Sequence, residues 1–139
     1  MQKTFSDLGR VAAIQELFEG TGYQPFVEPL FIDTTEAGYA TTSSKVLLEG
    51  VDFNLEYFPL KHLGYKSVVA ATGELYAVRS TPKTLGVVLG VSAKLDFEQV
   101  SELWSGIVAA TREFGYESLS LELQPSKNGL CINVAATGV

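Results

Sequence analysis

The stretch from Thr84 to Gln124, TLGVVLGVSAKLDFEQVSELWSGIVAATREFGYESLSLELQ, holds a strand pattern, a helix pattern and a second strand pattern in succession. Residues 84–92 form a nearly continuous apolar run, which predicts a strand buried on both faces. Asp96 has capping-box spacing to a glutamine three residues later and opens a predicted helix that ends at Gly115. Leucines alternate with polar residues over 118–124, which predicts a half-buried strand. A strand–helix–strand unit of this kind predicts parallel strands.

The flanking segments extend this pattern in both directions. A helix is predicted from Ser6 to Gly20 and an irregular segment over 21–36. A second helix is predicted to begin at Pro59, although Gly64 and Gly73 weaken its pattern because glycine is a poor helix former. The remaining predicted elements are a strand over Tyr39–Phe53 with a bulge near Gly50, a turn over 125–129 and a strand over 130–137 that forms an antiparallel hairpin with 118–124.

The predicted fold class is therefore α/β (α+β), with a mixed β-sheet and helices on one face, in a single domain over residues 1–139. Helices on one face leave the other face of the sheet uncovered. Because that face is predicted to be partly apolar, we expect two copies of the chain to pair through it as a homodimer.

Composition excludes several classes of function. The chain has 139 residues, 46% of them apolar, and a formal net charge of −6. This balance argues against nucleic-acid or anionic-membrane partners, which require clustered positive charge. The start of the sequence has no apolar run typical of a signal peptide, and no segment reaches the ~20 apolar residues of a membrane span. A cytoplasmic protein is therefore expected.

Nucleophilic and metal chemistry find little support in the sequence. The chain has one cysteine, Cys131, and one histidine, His62. Cys131 lies in a strand pattern and is interpreted as a structural thiol, and His62 as a packing or capping residue. Zinc-ligand spacing and glycine-rich phosphate motifs are absent from the sequence. We therefore predict no catalytic residue, and we interpret most of the scattered carboxylates as solvated surface charge.

A family resemblance adds to this interpretation. The segment Leu48–Leu89 resembles the amino-terminal domain of thiamine-monophosphate kinase, a member of the wider aminoimidazole ribonucleotide synthetase superfamily. The likeness is densest at 49–51, 59–66 and 76–77, and Thr81-Pro82 extends it. Residues 7–9 match before this segment, and residues 103–115 and 129–138 match after it in order. The resemblance therefore covers nearly the whole chain except 21–40.

The resemblance implies a mixed sheet with helices whose twin in a second subunit completes a barrel across the dimer. It also implies nucleotide and magnesium in grooves near that interface, and a second, carboxy-terminal domain that completes the substrate site. The sequence stops at Val139, where that second domain would begin, so we expect the carboxy-terminal domain to be absent.

The acidic motifs that hold metal in the family are altered in this chain. Under the resemblance, Glu28 falls where the family has a Gly-Asp-Asp motif, and Glu74 is the one carboxylate left of an Asn-Leu-Ser-Asp motif. Glu122 falls on the aspartate of a Gly-Gly-Asp motif. Lys45 replaces the aspartate of a Thr-Asp pair, and a cation there would repel Mg²⁺. Asp52 replaces the family's histidine.

The resemblance leaves three alternatives open. The first is a non-catalytic, dimeric binding or regulatory domain, either a homodimer or a heterodimer with a full-length superfamily member. The second is half of a split kinase that uses ATP and Mg²⁺ and is completed by another chain. Glu28, Glu74 and Glu122 would then be its nucleotide- and metal-binding residues. The third is a segment of a longer protein, which would not restore the missing aspartates.

Overall fold

Four helices and five strands make up the part of the chain that this computed structural model describes, namely residues 5–23, 30–34 and 38–139. The helices are α1 (Phe5–Leu8), α2 (Arg10–Phe18), α3 (Leu60–Ala77) and α4 (Phe97–Glu113). The strands are β1 (Leu30–Thr34), β2 (Gly38–Leu48), β3 (Pro82–Val91), β4 (Ser118–Pro125) and β5 (Cys131–Gly138).

The five strands form one mixed sheet in the order β1-β2-β5-β3-β4. Strands β3 and β4 pair in parallel, which confirms the parallel unit that the sequence predicts. The predicted hairpin between β4 and β5 is wrong, because β5 inserts between β2 and β3 and is antiparallel to both. This arrangement places β5 at the centre of the sheet and leaves β4 at an edge.

One face of the sheet is covered by α3 and α4. Its central side chains are Leu85, Val87 and Leu89 of β3 and Ile132 and Val134 of β5, and all five are at most 2% exposed. The opposite face, here called the open face, carries the alternate residues of each strand. Val88 on this face is only half-buried, so β3 is fully buried on one face and not on both as predicted. Helices α1 and α2 pack mainly on each other.

Helix α4 begins at the predicted cap. The Asp96 carboxylate accepts a hydrogen bond from the Gln99 amide at 2.8 Å, and the Gln99 side chain accepts one from the Asp96 amide at 3.0 Å. This reciprocal pair satisfies two amide groups that a helix start otherwise leaves without partners.

Helices α3 and α4 cross at two glycines. A Cβ atom on Gly64 would lie 2.1 Å from the Leu103 carbonyl oxygen, and one on Gly106 would lie 1.9 Å from the Lys61 carbonyl oxygen. Both contacts are with backbone atoms, so the helices approach this closely only because both positions lack a side chain. Helix α3 therefore runs unbroken through Gly64, and the glycine serves packing.

Other boundaries differ from the prediction for local reasons. The predicted helix over 6–20 is divided into α1 and α2 at Gly9, whose φ is 76°. The segment predicted as irregular contains β1, which pairs antiparallel with β2. Strand β2 ends before Gly50, which lies in a turn at φ 84°, and a short bridge then joins Glu49 to Phe53.

Candidate functional site

Glu74 extends from α3 toward β2, where two side chains bind its carboxylate. The Ser43 hydroxyl donates a hydrogen bond to Glu74 Oε2 at 2.7 Å. The Lys45 ammonium forms an ion pair with Glu74 Oε1. The side chains of Lys45 and Glu74 are 37% and 25% exposed, so water reaches the pair only in part. Both carboxylate oxygens are therefore engaged within the protein.

This cluster does not fit a divalent cation. Mg²⁺ prefers six oxygen ligands in near-octahedral geometry, whereas the cluster offers one carboxylate, one hydroxyl and a competing ammonium. The positive charge of Lys45 lies where a cation would have to approach Glu74. Two positive charges beside the same carboxylate repel each other. No group of three or more His, Cys, Asp or Glu side chains in the described ranges could hold a metal ion.

Glu122 lies far from this cluster. It is on the edge strand β4 and pairs in register with Val88, which places it on the open face. Its carboxylate is exposed and accepts a hydrogen bond from the Gln124 side chain at 2.9 Å. Strands β5 and β3 lie between β2 and β4. At the usual strand spacing, roughly 14 Å separates β2 from β4.

The predicted site residues therefore do not meet within one chain. Glu74 belongs to the helix-covered side of the sheet and Glu122 to the open face at the opposite edge. Glu28 lies outside the described residues. The structure does not bring Glu74 and Glu122 together, and their assignment to nucleotide or metal stays a prediction.

Cys131 and His62 are also apart. Cys131 pairs in register with Leu48 and Gly90 on the open face. His62 is on α3, across the sheet, and its ring stacks on Phe58 at a centroid distance of 5.9 Å. This stacking agrees with the interpretation of His62 as a packing residue.

None of the helices in the described ranges is both long and apolar enough to cross a lipid bilayer.

Sequence reasoning identified Lys45 as a departure from the family but did not pair it with Glu74. The two residues are 29 positions apart on different elements, since 74 − 45 = 29. The resemblance contained a signal, because Lys45 and Glu74 both fall on motifs that are implied to hold metal in the family. Ligands of one metal must be close in space, so a cation at one of these positions could have been paired with the anion at the other.

Comparison with known proteins connects this geometry to a family. The family profile described as "AIR synthase related protein, N-terminal domain" matches residues 29–139. A curated relative, the thiamine-monophosphate kinase of Rhodopirellula baltica, is 26% identical over 92 residues, which cover 66% of this chain and 29% of that protein.

Solved structures share the fold at low sequence identity. A structure described as AaThiL complexed with AMPPCP and TMP matches 99% of this chain and 44% of its own, with a TM-score of 0.89 and 17% identity. Thiamine monophosphate kinase from Aquifex aeolicus matches 91% of this chain and 41% of its own, with a TM-score of 0.79 and 18% identity. HypE from E. coli, a hydrogenase maturation protein, matches 72% of this chain and 32% of its own, with a TM-score of 0.57 and 15% identity.

The chain thus spans less than half the length of these relatives. The family match covers four-fifths of the chain, since residues 29–139 are 111 of 139. On this evidence the chain belongs to the AIR synthase related family, through that family's N-terminal domain.

Proposed function

We propose that this chain is a non-catalytic member of its family that works by binding, as a homodimer formed through the open face of the sheet. The observation that carries the proposal is the engagement of Glu74 by Lys45 and Ser43. A carboxylate held in this way is not available to a metal–nucleotide complex. The scaffold of the family domain is retained around it, which supports a binding role.

The open face supports the dimer. Its apolar side chains include Val46 and Leu48 of β2, which are 49% and 41% exposed. The half-buried Cys131 of β5 pairs in register with Leu48, and the exposed Ala135 of β5 lies on the same face opposite Ser44. The half-buried Val88 of β3 lies in the same row as Val46, with Asn133 of β5 between them. Several exposed apolar side chains on one uncovered face are a common mark of a protein interface. The small residues in its middle also allow a second sheet to approach closely.

Replacing Val46 with glutamate tests the dimer. We expect Val46→Glu to weaken self-association at least tenfold, because the substitution buries a charge without a partner in the interface. Analytical ultracentrifugation over a dilution series measures the effect. Val69→Glu is the matched control, since Val69 is 39% exposed on α3, away from the open face. A wild-type chain that stays monomeric at all concentrations would refute this part of the proposal.

Nucleotide titration tests the non-catalytic role. We expect calorimetry with ATP to show no magnesium-dependent binding tighter than about 100 μM. Glu74→Gln should change nothing in this titration, because the carboxylate is already neutralised by Lys45. Magnesium-dependent binding that is lost in Glu74→Gln would instead favour half of a split kinase, and the search for a chain that supplies the second domain would follow.

A further inference from the structure

We propose that the side chain of Asn133 meets the same residue of a second copy at the centre of the open face, and so fixes how the two sheets align. The inference rests on the proposed homodimer and deepens it, because it names the residue that makes a second copy of this chain the preferred partner. Asn133 lies on β5, the middle strand of the five, and is half-buried.

Four apolar residues surround Asn133 on the open face. Its register partners in the neighbouring strands are Val46 of β2 and Val88 of β3. Along β5 the next residues on the same face are Cys131 and Ala135, because successive side chains of a strand point to opposite faces. Asn133 therefore places a single polar amide in the middle of an apolar patch.

The side-chain amide of Asn133 forms no hydrogen bond with any residue that the structure describes. Because Asn133 is only half-buried, water can hydrate this amide in a single copy. A partner that covers the open face removes that water, and a buried amide without a hydrogen bond is costly. The covering surface must therefore present a hydrogen-bonding group directly opposite Asn133.

A second copy of the chain presents such a group by symmetry. Two sheets that pack face to face in a homodimer are related by a twofold axis that lies between them, and a residue beneath that axis faces its own copy. An axis over the centre of the apolar patch places the two Asn133 side chains opposite each other. An asparagine amide has both a carbonyl oxygen and an NH₂ group, so each side chain donates one hydrogen bond and accepts another.

The charge of the open face favours the same partner. The chain is 19% charged, yet β2, β5 and β3 present no Asp, Glu, Lys, Arg or His side chain on this face where they pair. The positions concerned are 42, 44, 46 and 48 of β2, 131, 133, 135 and 137 of β5, and 84, 86, 88 and 90 of β3. A charged ligand would find no opposite charge there. A second copy of this face buries no charge that lacks a partner.

Opposite charges at position 133 test this contact. We expect Asn133→Asp and Asn133→Lys each to weaken self-association about tenfold or more, because each variant sets two like charges against each other in the interface. An equimolar mixture of the two variants should form a heterodimer about tenfold tighter than either homodimer, because the charges then attract. Analytical ultracentrifugation measures the dissociation constants, and native mass spectrometry measures the composition of the dimers.

Val69→Asp and Val69→Lys are the matched control pair, since Val69 is 39% exposed on α3, away from the open face. Their mixture should contain homodimers and heterodimers in statistical proportion. The same statistical proportion in the mixture of position 133 variants, or its failure to dimerise where the wild type does, would overturn the inference and leave the proposed dimer standing. A wild-type chain that stays monomeric would overturn both.

Asn133→Val separates the alignment of the sheets from their affinity. Valine continues the apolar patch and needs no matching amide, so the dimer should be at least as tight as that of the wild type. A buried asparagine pair selects one alignment in other symmetric interfaces, at a cost in stability. We therefore expect ¹H–¹⁵N NMR spectra to show one set of β5 amide signals for the wild-type dimer and more than one set for Asn133→Val. One set in both proteins would refute the role of Asn133 in alignment.

Discussion

We expect Gly106→Ala to lower the free energy of unfolding by about 3 kcal/mol, near the upper end of the usual effect of overpacking a core. The new Cβ would lie 1.9 Å from the Lys61 carbonyl oxygen, 2.8 Å from its carbonyl carbon and 3.0 Å from the Tyr65 amide nitrogen. All three are backbone atoms of α3, which cannot rotate away as a side chain can. The two helices must therefore separate, and the contacts of the fully buried Leu103 and Ile107 with the core weaken.

Gly73→Ala is the matched control for this substitution. Gly73 lies within α3, and a Cβ there meets no atom within 4 Å apart from the neighbouring backbone of its own helix. Alanine at such a position should stabilise the protein by about 0.5–1 kcal/mol, since glycine is the weaker helix former. Urea unfolding followed by the fluorescence of Trp104, the single tryptophan, measures both variants. Equal stability of Gly106→Ala and wild type would mean that the helices do not cross as closely as described.

The two glycines of α3, Gly64 and Gly73, show what a local sequence pattern reveals and what it cannot. On sequence grounds Gly64 and Gly73 look alike, because both weaken the pattern of the second helix. In the structure Gly64 contacts the backbone of α4 at Leu103, whereas Gly73 faces open space. The difference arises from Leu103, which is 39 positions from Gly64 in the sequence, since 103 − 64 = 39. Intrinsic propensity cannot contain such information, although it did identify the helix itself.

The order of the strands marks a similar limit. Alternation and turn residues located both ends of β4 and of β5 to within one residue, and the capping box at Asp96 located the start of α4. The short turn between β4 and β5 favoured a hairpin. The chain instead places β5 between two strands, where Ile132 and Val134 are fully buried. Leu123 on the edge strand β4 is 58% exposed, a difference that alternation alone does not distinguish.

The sequence could predict which residue types take part in the candidate site, but not how they are arranged. The resemblance assigned Lys45 and Glu74 to motifs that hold metal in the family, and the structure places them in contact. It could not show that Glu122 lies on the other face of the sheet, because that depends on strand order and register.

Lys45→Asp should give the second large effect, a loss of about 2 kcal/mol in the free energy of unfolding at low ionic strength. The substitution removes the ion pair and sets a second carboxylate beside Glu74, whose side chain is 25% exposed. Two carboxylates that are partly withdrawn from water repel each other, and added salt should reduce the loss. Lys45→Met is the control, because it removes the cation without adding an anion. It should cost no more than about 1 kcal/mol.

Divalent cations should reverse part of this loss in Lys45→Asp alone. Two carboxylates and the Ser43 hydroxyl form an oxygen donor set of the kind that Mn²⁺ or Mg²⁺ accepts. With a dissociation constant of about 1 mM, 10 mM cation would restore about 1.4 kcal/mol by mass action. Melting temperatures with and without MnCl₂ measure this recovery. Equal stabilisation of the wild type by Mn²⁺ would contradict the view that the Lys45 ammonium occupies the cation's place, whereas recovery confined to Lys45→Asp would support it.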